Sequence, residues 1–244
     1  EDKFEIRIGK NEFTETRVKL DLPILSGEIE FTTEFKPWPV TFSKPGIMGW
    51  YGLVPFMECF HGIVSFDHSL KGQLIIENKS CSFDSGKGYI ETDWGKSFPA
   101  GYIWMQTNHF DFNQQTSLIA SAAIIPWLGK SFRGFIIGLH HEGKLYSWTT
   151  YNSSKEIKLE ITDQEIIWDL FGPSGSLSIR AERTRGGLLH APLNKDMHRR
   201  VEETMDSKIH ITFKTPEGKV ICSGVGLAAA LEVFGDLKRL LSYS

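Results

Sequence analysis

The sequence predicts an all-β chain folded as two antiparallel barrel-like or sandwich halves with little helix. Three observations carry this. Hydrophobic and polar residues alternate at period two along most of the chain, in short runs rich in β-branched and aromatic residues. Turn chemistry cuts the runs at Asn78-Lys79, Glu142-Gly143, Asp163-Gln164 and Glu217-Gly218. Helical period is scarce. The strands are too many for one small barrel, so two halves are expected, 1–100 and 101–244.

Taken in order, Phe4-Ile6-Ile8, Val18-Leu20-Leu22 and Ile29-Phe31-Thr33-Phe35 alternate cleanly. Residues 36–57 carry Pro37, Pro39, Pro45 and Pro55 with Trp38, Met48, Trp50 and Tyr51. A long aromatic crossing of that kind serves as a lid over a ligand or a plug at a barrel end. Strands follow at 73–77, 88–93, 102–110, 117–124, 132–141, 144–151, 156–161, 165–170, 176–183, 209–213 and 219–224. Val201–Met205 reads as a turn of helix, 231–234 reads equally well as strand or helix, and a short helix is expected at 236–241.

Charge excludes some functions. Lys plus Arg is 27 against 30 Asp plus Glu, so there is no global footprint for nucleic acid or an anionic membrane. Residues 180–200 are locally basic, with six Lys or Arg against Glu182 and Asp196, but carry no RNA-binding motif. Cys59, Cys81 and Cys222 are widely spaced without a Cys-x-x-Cys, which fits reduced thiols in a cytoplasmic protein and neither a zinc site nor a redox pair. Residues 112–129 are uncharged but too polar to span a bilayer. No metal and no cofactor are called for. Seven Trp exceed what a core needs, which suggests a flat or greasy ligand.

Familiar catalytic motifs are missing. His140 and His141 point to opposite faces of a strand, Gly172-Pro-Ser-Gly-Ser lacks the last glycine of a nucleophile elbow, and Gly86-Lys-Gly-Tyr-Ile-Glu leads into a strand, not a helix. One dense segment remains, 88–110. Period two puts Tyr89, Glu91 and Asp93 on one face of its first strand, and Tyr102, Trp104, Gln106 and Asn108 on one face of its second. Such a stripe faces solvent by default on an antiparallel sheet. Alternatively it faces a lumen, where carboxylates among aromatics become proton donors. Pattern alone leaves the two even.

Tyr89-Ile-Glu-Thr-Asp-Trp-Gly-Lys-Ser-Phe-Pro99, followed by Trp104-Met-Gln-Thr-Asn108, resembles the central motif of the tocopherol cyclase family. Further matches run along the chain at Pro37-Trp38-Pro39, Gly49-Trp50-Tyr51, Pro55 to Glu58 with His61-Gly62, Pro126 to Gly129, and Ala229 to Val233. Plant and cyanobacterial members carry Asn at the position of Asp93, whereas Glu91 is shared; the Asp form is that of bacterial members of unassigned role. The resemblance implies two tandem lipocalin-like barrels holding a lipophilic ligand. It also implies a further N-terminal stretch that would complete, and pack on, the first barrel.

The activity implied is an intramolecular lyase or isomerase reaction, with a lipophilic small molecule as the one partner. A carboxylic acid protonates a trisubstituted alkene on a prenyl tail, and a phenol oxygen of the same molecule captures the cation. Asp93 is the first choice of acid and Glu91 the second. Trp94 and Trp104 are the aromatic candidates, Tyr89, Gln106 and Asn108 could position the head group, and Trp50 and His61 complete the binding set. A non-catalytic carrier with the same lined cavity is the competing reading. A motif that merely straps the two halves together is a third.

Overall fold

The computed structural model describes residues 4–193 and 196–243. Among them are twenty strands and one short α-helix. In chain order they are β1 (Glu5–Ile8), β2 (Asn11–Thr14), β3 (Arg17–Leu22), β4 (Leu25–Phe31), β5 (Val40–Thr41), β6 (Lys44–Pro45), β7 (Cys59–Ile76), β8 (Lys79–Ser82), β9 (Gly86–Gly95) and β10 (Gly101–Thr107). Then come β11 (His109–Phe110), β12 (Thr116–Trp127), β13 (Lys130–His141), β14 (Lys144–Thr149), β15 (Lys155–Ile161), β16 (Glu165–Gly172), β17 (Gly175–Glu182), β18 (Gly187–Leu193), β19 (Asp196–Lys214) and β20 (Val220–Gly235). Helix α1 (Leu237–Ser242) closes the chain where a helix is expected, and the Asp236 side chain caps it by accepting from the Arg239 amide. No described helix is long and apolar enough to cross a membrane.

The chain divides into two compact units that interleave along the sequence. The first comprises Glu1–Pro37 and Val64–Ile90; the second comprises Trp38–Ile63 and Glu91–Ser244. Both β7 and β9 therefore contribute to each. In the first unit the antiparallel order is β1-β2-β3-β4-β7-β8, with β9 also paired to β7. Strand β1 forms its edge, with Phe4, Ile6 and Ile8 exposed.

In the second unit the order is β14-β13-β12-β10-β20-β19-β17-β16-β15, with β11 on β20 and β18 on β19. The all-β expectation is met, but the sheets stay open. Among the described residues their end strands do not pair with one another, and neither forms a closed barrel there. The main core gathers one face of the second sheet: Ile103 and Met105 of β10, Leu118, Ala120 and Ala122 of β12, Trp148, Trp168 and Phe213.

Residues 201–205 are strand, not helix. They belong to β19, which pairs with β18 on one side and β20 on the other. The register on β20 shifts between Thr204 and Ser207, and that bulge breaks the alternation into something resembling helical spacing.

Candidate active site

Tyr102 and Trp104 alternate with Ile103 and Met105 on β10, so they occupy the face of the sheet turned away from the main core. That face is covered rather than wet. Residues 38–63 cross it, and the Tyr151 hydroxyl donates to the Ile47 carbonyl at 2.7 Å. Trp50 stacks on Tyr51, and both meet Trp127 edge-on at 5.9 and 5.6 Å. The aromatic crossing thus forms a wall, through Met48, Tyr51 and Met57, over a cavity of about 150 Å³. Trp104, Phe98, Phe132, Phe135 and Ile125 line the rest of its apolar surface.

His61, Glu91 and Asp93 line the same cavity. Asp93 Oδ1 lies 2.6 Å from His61 Nδ1, and Glu91 Oε2 lies 3.8 Å from His61 Nε2. The His61 side chain is 14% exposed, Glu91 23% and Asp93 29%, so His61 is the most withdrawn from water and Asp93, an exposed residue, the least. Burial pulls the His61 pKa down, but the Asp93 hydrogen bond and the Glu91 and Asp93 charges outweigh it, and the net shift is upward. One donor atom from each of the three lies within 4.8 Å of the others, a spacing that could hold a metal ion. The ring nitrogen nearest Asp93 is already engaged by it, as in a proton-sharing pair.

Two polar atoms of the cavity-lining residues are buried without a hydrogen-bond partner, His61 Nε2 and Trp104 Nε1. Buried orphans of this kind are costly, and a ligand oxygen would satisfy them. Cys59 also lines the cavity, but burial, with the Asp93 and Glu58 charges behind it, pushes its thiol up to about 12, which removes it as a nucleophile.

Gly95 sets where the carboxylates stand. Its φ is +145°, and a Cβ there would lie 2.2 Å from the Glu58 carbonyl oxygen. Without a side chain, β9 passes against Glu58, which accepts from the Lys96 amide at 2.8 Å, just after Asp93 has been presented. Gly95→Ala is expected to destabilise the second unit by about 1–3 kcal/mol, read as a lower urea midpoint, and to weaken ligand binding.

The structure brings Glu91, Asp93, His61 and Trp104 of the sequence-based candidates to one cavity. Trp94 is 54% exposed and stacked on Phe60, and Trp50 is 43% exposed; neither is in the lining. Gln106 and Asn108 are buried but outside the lining, and Tyr89 falls in the first unit. Tyr102 and Glu232 also line the cavity and are outside the candidate set read from sequence. A signal for Glu232 exists: it is the one charged residue in the run Gly226–Phe234, an apolar stretch that has no reason to carry a carboxylate.

The tocopherol cyclase-like family profile matches residues 16–235. A rice (Oryza sativa subsp. japonica) protein named "Probable tocopherol cyclase, chloroplastic" is 25% identical over 208 residues, covering 80% of this chain and 44% of its own length. A maize (Zea mays) protein named "Tocopherol cyclase, chloroplastic" is 23% identical, covering 77% of this chain and 41% of its own. The chain thus spans less than half the length of these curated relatives. Among solved structures, kievitone hydratase from Nectria haematococca superposes with a TM-score of 0.56 at 12% identity, over 96% of this chain and 71% of that one. That likeness extends to the fold alone, which is lipocalin-like.

Proposed function

The chain belongs to the tocopherol cyclase-like family, and from that premise we propose that it catalyses the proton-initiated cyclisation of a prenylated phenol or quinol, or a related terpenoid lipid. The observation that carries this is the His61–Asp93 pair, 2.6 Å apart, on the wall of an otherwise aromatic and aliphatic cavity. Asp93 is the proton donor. An imidazolium at His61 donating to Oδ1 stabilises the carboxylate left after transfer. Glu91 provides the counter-charge on the far ring nitrogen and keeps His61 protonated. Trp104, Tyr51 and Phe132 offer ring faces to the tertiary cation. A cavity of about 150 Å³ is the size of one aromatic ring.

Incubation with a prenylated hydroquinone is expected to give a cyclised product of unchanged mass. A carrier would bind the quinol and return it unaltered, which would overturn the reading. Because the protonated His61 is the working form and its pKa is raised, turnover should fall as pH rises through a His61 value above that of a free imidazole. A rate that climbs steadily with pH instead would contradict His61 as the activating cation.

A further inference from the structure

The cavity holds a third carboxyl group, beyond Asp93 and Glu91, that proton donation does not use. Glu232 of β20 stands directly across the ladder from Trp104 of β10. Tyr102, two residues before Trp104 on the same face, donates its hydroxyl to Glu232 Oε2 at 2.6 Å. All three line the cavity, and Trp104 Nε1 is a buried donor with no partner. A carboxylate and an unsatisfied N–H on neighbouring strands complement a group that both donates and accepts, which is a hydroxyl.

We infer that this patch binds the substrate's phenolic hydroxyl, Glu232 accepting its hydrogen and Trp104 Nε1 donating to its oxygen, and that Glu232 takes the phenolic proton as the ring closes. The last step rests on the cyclase reading; the hydroxyl site does not. The step balances. The Asp93 O–H bond breaks as a C–H bond forms on the alkene, the phenol oxygen forms the new C–O bond, and the phenolic O–H bond breaks with its proton passing to the Glu232 carboxylate. Exchange with solvent then returns both carboxyls to their starting states.

Burial and three groups set the charge on Glu232. Burial pushes its pKa up to about 7, the Tyr102 hydrogen bond opposes this, and Glu203 and Asp93 push the same way as burial. Glu203 faces it from β19, where the two are ladder partners. Arg199, also on β19, acts on Tyr102 and lies over the Phe234 ring at 5.0 Å. The base-competent carboxylate therefore gains population as pH rises through neutrality.

The test uses the full chain, a prenylated hydroquinone and its aryl methyl ether, with tryptophan fluorescence for binding and product analysis for turnover. Wild type is expected to bind the hydroquinone at least tenfold more tightly than the ether at pH 8, and Glu232→Gln to erase that preference. Gln keeps an acceptor for Tyr102, so the fold is preserved. Glu232→Gln should also lower kcat at least about 100-fold and raise KM by about the tenfold lost in binding, and the acidic limb near pH 7 should vanish from what remains. Tyr102→Phe should retain turnover but move that limb to higher pH, because the carboxylate loses its donor. Equal binding of quinol and ether by wild type, or wild-type turnover with an unmoved limb in Glu232→Gln, would overturn the inference. Phenol preference without any cyclised product would instead sink the cyclase reading and leave the hydroxyl site standing.

Discussion

Asp93→Asn lowers turnover of a prenylated hydroquinone by at least about 100-fold while leaving its affinity within a few-fold of wild type. The amide keeps the size and an acceptor oxygen for the His61 ring but has no acidic proton, so binding survives and proton delivery does not. Glu91→Gln behaves differently. Its charge acts on His61 from 3.8 Å and helps hold the ring protonated. Removing it lowers the His61 pKa, so the basic limb moves to lower pH. Loss of activity at every pH in Glu91→Gln, with survival of Asp93→Asn, would exchange the two roles. Retention of full activity by both would remove the pair from the chemistry altogether.

Much of this geometry is legible in sequence, and the gaps have physical causes. Period two separates Tyr102 and Trp104 from Ile103 and Met105, but it does not say which face meets the main core. Here both faces of β10 are dry, because 38–63 covers the second one. Most of β7 was invisible for a related reason: Ser65, Phe66, Asp67 and His68 are four consecutive buried residues, which erases alternation. The carboxylates Glu91 and Asp93 stood out because they lie in a dense motif on one strand. Glu232 reaches the cavity from a strand distant in sequence, and only the pairing of β20 with β10 reveals it.

Openness of the second sheet makes one side chain unusually consequential. Its end strands, β14 and β15, do not pair, so side chains crossing the core must hold the sheet's curl. Trp148 of β14 does so. It is fully buried, its indole N–H donates to the Gly175 carbonyl of β17 at 2.9 Å, and its ring meets Phe213 of β19 edge-on at 5.3 Å. Trp148→Ala is expected to destabilise the second unit by about 3–5 kcal/mol, through lost burial and an unfilled cavity. Trp148→Phe keeps most of the area but leaves the Gly175 carbonyl without its donor, and should cost about 1–3 kcal/mol. Urea titration followed by circular dichroism reads both. A loss below about 1 kcal/mol for Trp148→Ala would show that β13 and β19 collapse into the space, and that the curl is held by the strand ladder rather than by this packing.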